Sequence, residues 1–282
     1  QPPVLPAPAA RRHACAGGAA IGICLVHHGD ALAPQVIAAA AEARGLDALY
    51  LPENSHVPVA RPATPRRVAD IERLACFYDP FVALAACAAT TRHIRLGTSV
   101  CLLTQRDARA TARSVASLMS LAGDRLVLGV AGGFIREAME NHGSPFATRW
   151  RVVRERVAAM RTEWAAPSAG AAGRAGPPVW IGSNSARVPA RVAAWADGWM
   201  TRRELYPGDA LADLRAACAR AGRPFESLTV ALMGAPLDAT EACRAAVSGY
   251  GELVFTVGET TRDAILRRLD AVAALALQVR AA

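Results

Sequence analysis

Short apolar runs alternate with longer alanine-rich stretches of helical period along nearly the whole chain, and no other feature narrows the fold as much. The runs at 21–26, 48–51, 94–103, 126–130, 179–181, 198–200, 228–233 and 253–257 read as strands. Strands that alternate with helices form a parallel sheet, because each parallel pair needs a crossover between its members. Eight such units predict an α/β chain folded as a (β/α)8 TIM barrel. In that fold the functional groups gather where strand C-termini meet the following loops. The 282 residues suit one barrel of this kind.

The intervening segments carry helix signals. In ATRWRVVRERVAAMRTEW the apolar positions Trp150, Val153, Val157, Met160 and Trp164 form one stripe, with Arg151, Arg154, Arg156 and Arg161 opposite as a solvated face. DPFVALAACAATT opens on Asp79 as N-cap and Pro80 in the first turn, and is expected to bury Phe81, Leu84, Ala85 and Ala88. A third helix opens at Asp107 and stops on Gly123.

Composition removes several function classes. Every one of the 32 basic Lys-or-Arg positions is Arg, so Schiff-base lysines and P-loop NTPases are excluded. The arginines are scattered among many alanines, and the net charge of +8 therefore does not read as a nucleic-acid stripe. No apolar run has the length of about 18 residues that a membrane span needs. The seven cysteines lack C-x-x-C or zinc-finger spacing and read as buried, reduced core residues. Residues 1–20 lack the apolar centre of a secretory signal. The expected organisation is a disordered tail over 1–20, a single barrel over 21–282, and a cytoplasmic protein without a metal site.

The strand ends VHHGD, LPENSH, TSVCLLTQRD, GVAGGF and IGSNS bring polar groups and glycines to one rim. His27 and His28 there are either loop filler or catalytic. Glu53, Asn54 and His56 form a denser polar cluster. Gly182, Ser183, Asn184 and Ser185 precede a helical pattern starting at Ala186. They read equally as an anion site or as an ordinary N-cap.

Taken in order, GLDALYLPENSHVPVARP, DPFVALAACAATTRHIRLGTSVCLLTQRD, GDRLVLGVAGGFIREAMENHG, ATRWRVVRERVAAMRTEW and PPVWIGSNSARVPARVAAWADGWM resemble the bacterial luciferase-like superfamily, in particular its F420-dependent branch. The resemblance runs from about residue 22 to 200 and weakens afterwards. It implies a barrel holding F420 or, alternatively, FMN over the strand C-termini. It also implies a bulged third strand with a non-prolyl cis peptide at Ser99-Val100 behind the ring. Glu53 and Asn54 would approach the reactive side, Gly132, Gly133 and Phe134 would flank the ring, and Gly182 to Ser185 would grip the phosphate. Proton handling falls to Glu53 and His56, with His28 in reserve. The implied activity is hydride transfer to or from a small-molecule substrate by a homodimer. Three features depart from the pattern: Asn54 where relatives often carry His, Ile135 where they often carry Asn, and a short connection over 165–178. They keep two further readings open, an FMN monooxygenase and a degenerate barrel without a redox cofactor that acts as a cofactor-free biosynthetic enzyme or a binding protein.

Overall fold

All six residues of strand β1 (Ala20–Leu25) are buried, and its backbone pairs in parallel with β2 (Ala48–Leu51) on one side and β8 (Glu252–Val257) on the other. Strands β3 (Arg95–Leu102), β4 (Leu126–Ala131), β5 (Val179–Gly182), β6 (Gly198–Thr201) and β7 (Thr229–Met233) complete the ring in sequence order, so the barrel closes without an edge strand. The computed structural model describes residues 18–26, 32–60, 71–166 and 176–281. The eight strands match the expected runs to within a residue or so at each end. Ala20, read from sequence as tail, belongs to β1, and residues 1–17 lie outside the described residues. Most of the short connection before β5, residues 167–175, also lies outside them.

The helices are α1 (Pro34–Glu42), α2 (Pro80–Thr90), α3 (Ala108–Ala122), α4 (Arg136–Asn141), α5 (Arg149–Ala165), α6 (Val188–Trp195), α7 (Ala210–Ala221), α8 (Ala239–Ser248) and α9 (Arg262–Ala281). Their caps follow the sequence signals. Asp79 accepts the N–H groups of Phe81 and Val82 at 2.9 and 3.1 Å, Asp107 accepts that of Ala110 at 2.8 Å, and α3 stops on Gly123 at φ +66°. On α2 the buried set is Phe81, Ala83, Leu84, Cys87 and Ala88, with Ala85 only half-buried. On α5 Val153, Val157, Met160 and Trp164 are buried and Trp150 is half-buried.

The arginine face of α5 departs from the solvated reading. Arg161 is half-buried, donating to the Trp195 carbonyl at 2.9 Å and pairing with Asp197 at 2.8 Å, while Arg156 donates to the Leu103 carbonyl. Their stems pack while their heads tie loops together.

Two apolar layers result. One lies between barrel and helices, and the other fills the barrel interior with Tyr50, Val127, Trp180, Met200, Met233 and Val254. Of the cysteines, Cys24, Cys87, Cys101 and Cys218 are buried and free, Cys243 is partly buried and Cys76 is exposed, which corrects the uniformly buried expectation. Cys15 lies outside the described residues. Burial pushes the Cys24 thiol up to about 11 and the Cys87 thiol up to about 12, which keeps both protonated and unreactive. Among the described residues no helix is long and apolar enough to cross a membrane.

The β3–β4 pairing shifts register between Thr98 and Cys101, and the Ser99-Val100 peptide between them is cis. Thr98 Oγ1 donates to the Gly129 carbonyl at 2.7 Å. A Cβ at Gly129 would lie 2.1 Å from the Thr98 oxygen, so β4 approaches the bulged strand this closely only with glycine there.

Candidate active and cofactor site at the barrel rim

The bulge shapes the floor of the barrel mouth. Val100 extends from β3 across to the end of β5, where a Cβ added to Gly182 would come within 2.3 Å of its Cγ1. Val26 and Val100, both partly buried, pack over the interior cluster at this end. They give the mouth an apolar floor on which a flat ring can rest.

Behind that floor, Glu53 is committed to holding the bulge. One carboxylate oxygen accepts the Leu102 N–H at 2.7 Å and the other accepts Arg106 Nε. The Glu53 side chain is 5% exposed, so the paired guanidinium is what makes its burial tolerable. Arg106 also pairs with Asp79, the cap of α2, and stacks 4.8 Å over the Phe81 ring. Buried beside this pair, the Cys101 thiol is pushed well up, by desolvation first and then by the Glu53 charge.

Beyond Glu53 the β2 loop carries a second polar group. Ser55 Oγ lies 2.6 Å from Gln105 Oε1, 2.9 Å from His56 Nδ1 and 3.0 Å from His142 Nε2. Asn141 Nδ2 lies 3.0 Å from His56 Nε2, and Asn54 Nδ2 donates to the His56 carbonyl at 2.8 Å. The two imidazoles stand 5.5 Å apart. Burial first, then the neighbouring His56 and Arg156, hold the His142 imidazole below its ordinary value. The structure thus unites Asn54 and His56 with Ser55, Gln105, Asn141 and His142, four residues to which the sequence reading gave no role. Asn141 and His142 are legible only in retrospect, as a polar pair at the stop of a short helix before Gly143. His28 lies outside the described residues.

Gly132 and Gly133 stand at the end of β4. Thr104 Oγ1 donates to the Gly132 carbonyl at 2.9 Å, and Gly133, at φ +76°, faces Gln105 Nε2. Phe134 projects into solvent at 49% exposure. In the Gly182 to Ser185 segment, helix α6 begins at Val188 rather than Ala186, and the Asn184 amide oxygen accepts the Arg202 N–H at 2.7 Å and the Thr201 hydroxyl at 3.3 Å. Ser183 contributes its carbonyl to Trp199 Nε1 at 2.8 Å, and Ser185 Oγ accepts the Arg187 N–H at 3.3 Å.

The positive charge at this rim comes from arginines that the sequence reading treated as scatter. Arg136 and Arg149 lie over the Phe146 ring at 4.4 and 3.9 Å, and Arg191 lies over Trp150 at 4.6 Å. Burial first, then Arg187 and Arg149 nearby, push the Arg191 guanidinium down, and burial and then Arg136 act likewise on Arg149. Among the described residues the buried Arg191 Nη1 has no hydrogen-bond partner. A buried cationic donor left open beside other guanidiniums is the electrostatic complement of an anion, so these residues fit a phosphate-bearing cofactor. The retrospective signal was Arg187 and Arg191, four apart, just after the IGSNS loop. Among the described residues no group of three His, Cys, Asp or Glu side chains could hold a metal ion.

Comparison with known proteins bears on the fold and the family. The uncharacterized protein Rv0953c of Mycobacterium tuberculosis is 31% identical over 277 residues, covering 90% of this chain and 97% of its own. The monooxygenase RslO1 from Streptomyces bottropensis shares the fold at a TM-score of 0.64 and 18% identity, covering 92% of this chain and 98% of its own. An F420-dependent secondary alcohol dehydrogenase, solved with an F420-acetone adduct, shares it at 0.58 and 15%, with 90% and 83% covered. The family model described as luciferase-like monooxygenase matches residues 25–268, and the chain belongs to that oxidoreductase family.

Proposed function

We propose that this barrel is an F420-dependent oxidoreductase that moves hydride to or from a small organic substrate. The observation that carries the reading is the row of guanidiniums at the β4–β5 rim, with Arg191 Nη1 buried and unpartnered. FMN ends in one phosphate, whereas F420 continues from a phosphodiester into a chain of carboxylates. Several arginines in a row suit the longer polyanion. When bound, the deazaflavin supplies the hydride chemistry.

The chain's own residues supply placement. Val26 and Val100 offer the ring an apolar seat, and Arg149, Arg187 and Arg191 hold the anionic end. Glu53 and Arg106 keep the bulged strand in place behind the ring. The paired imidazoles of His56 and His142 place proton handling at the β2 side of the mouth.

Titration of the protein into F420 and into FMN, followed by cofactor fluorescence, tests the reading. Saturable quenching of F420, stronger than that of FMN and weakened by salt, is expected. Preferential FMN binding, with oxygen consumption when reduced FMN is supplied, would establish the monooxygenase alternative. Quenching of neither would leave the cofactor-free barrel.

A further inference from the structure

Around Ser55 the hydrogen bonds allow one arrangement of protons. Gln105 Oε1 accepts the Ser55 backbone N–H at 3.3 Å, which orients that amide with its oxygen toward Ser55. The same oxygen lies 2.6 Å from Ser55 Oγ, so the single hydroxyl proton of Ser55 is donated there. Ser55 Oγ then has only lone pairs left for His56 Nδ1 and His142 Nε2, and both ring nitrogens must carry hydrogens.

The two imidazoles differ at their other nitrogen. His56 Nε2 receives the Asn141 amide N–H at 3.0 Å, and a proton added there would face that donor head-on. Among the described residues only His142 Nε2 is engaged, and Nδ1, on an exposed side chain, keeps a free lone pair. The charged and titratable groups around His142 are His56 and Glu53 from the β2 end and Arg156 from α5. Burial and the Arg156 guanidinium, against a Glu53 carboxylate already paired with Arg106, favour the neutral ring.

We propose that His142, rather than His56, is the proton-accepting imidazole of this rim, with Ser55, Gln105 and Asn141 as the residues that position both rings. His142 is a neutral base with Nδ1 open to an incoming hydroxyl or water proton. His56 is a locked Nδ1–H tautomer. The part His142 plays in turnover rests on the oxidoreductase reading, whereas its tautomer and its charge do not.

Diethyl pyrocarbonate tests this on the full chain, because it acylates only an unprotonated, unengaged imidazole nitrogen, with loss of ethanol and carbon dioxide. Peptide mapping at neutral pH should show His142 modified several-fold faster than His56. The His142 rate should begin to fall only below pH 6.5, the ordinary histidine value. Asn141→Ala, which frees the lone pair of His56 Nε2, should bring the two rates together. Modification of His56 as fast as His142, or a His142 rate that falls with a midpoint at or above 6.5, overturns the proposal. If this pattern holds while F420 fails to bind, the cofactor reading falls and the assignment of the base stands. If F420 binds and turnover occurs, His142→Gln should remove the ionisation from the pH profile. Its survival in that variant, with loss in His56→Gln instead, also overturns the proposal.

Discussion

Arg95 Nη2 lies 2.6 Å from Glu252 Oε2 at the N-terminal end of the barrel, where the Tyr50 hydroxyl stands 3.0 Å from both oxygens of the same carboxylate. The Glu252 side chain is fully buried, and Arg95 Nε already lacks a partner. Removing the carboxylate strands a buried guanidinium, so Glu252→Ala is expected to cost about 3–5 kcal/mol. A urea midpoint that falls at unchanged slope would show it. The double change Arg95→Met with Glu252→Leu should cost less than the single one. Cofactor affinity of the folded fraction should not change, since this network lies at the end opposite the rim.

Arg106 links Glu53, which braces the bulge, to Asp79, which caps α2. Arg106→Leu is expected to destabilise by about 1–3 kcal/mol, the cost of leaving a buried acceptor without its charged donor. It should also weaken F420 binding, because the strand behind the ring loses its brace. Glu53→Gln, which still accepts one bond, should be milder on both counts. Denaturation and fluorescence titration on the same samples measure the two effects.

Gly182 and Val100 share a space that holds one side chain. Gly182→Ala would press a methyl to 2.3 Å from Val100 Cγ1 and is expected to cost about 1–3 kcal/mol through overpacking. Val100→Ala in the same chain should recover part of that loss. The pair should be non-additive by at least about 0.5 kcal/mol in a double-mutant cycle.

Glu42 supplies a pH dependence that can be signed. Burial opposes its ionisation, but the N–H groups of Arg92, His93 and Ile94, at 3.0, 2.7 and 2.7 Å, outweigh burial and hold its carboxyl below the ordinary 4.5. The folded state then binds fewer protons than the unfolded chain in the interval between the two values. The stabilisation is fully present above 4.5 and is lost as pH falls through the lower, folded value. Glu42→Gln should therefore be most destabilising at neutral pH, and its difference from the parent chain should shrink on acidification.

Arg191→Ala separates binding from stability. If the guanidinium row holds the anionic end of the cofactor, loss of one charge-assisted donor should weaken F420 binding by about tenfold or more. Because Arg187 and Arg149 already crowd Arg191, stability without cofactor should change little or rise. A parallel loss of both would show that Arg191 packs and does not bind.

Much of the architecture is local in origin. Alternating strand and helix periods, Asp79 and Asp107 at helix starts and Gly123 at a helix end are each legible in a few consecutive residues. Each acts through backbone conformation or immediate neighbours, so the (β/α)8 barrel follows from the chain alone, and the bulged third strand from its resemblance to the luciferase-like family. The site is different. Glu53 meets Arg106 and Leu102, Ser55 meets Gln105 and His142, and Arg191 joins Arg149 only once the barrel has closed.

These contacts join residues some 40 to 90 positions apart, and sequence carries no signal for which polar partner a closed barrel will supply. That is why Glu53, legible as a rim acid, is a brace whose two oxygens are both engaged. It is also why the amide oxygen of Asn184 is turned to the Arg202 N–H, a partner that IGSNS alone does not name. Residue type and rim position are local properties, but hydrogen-bond occupancy is a property of the packed neighbourhood. The tertiary structure alone decided which rim groups remain free to act.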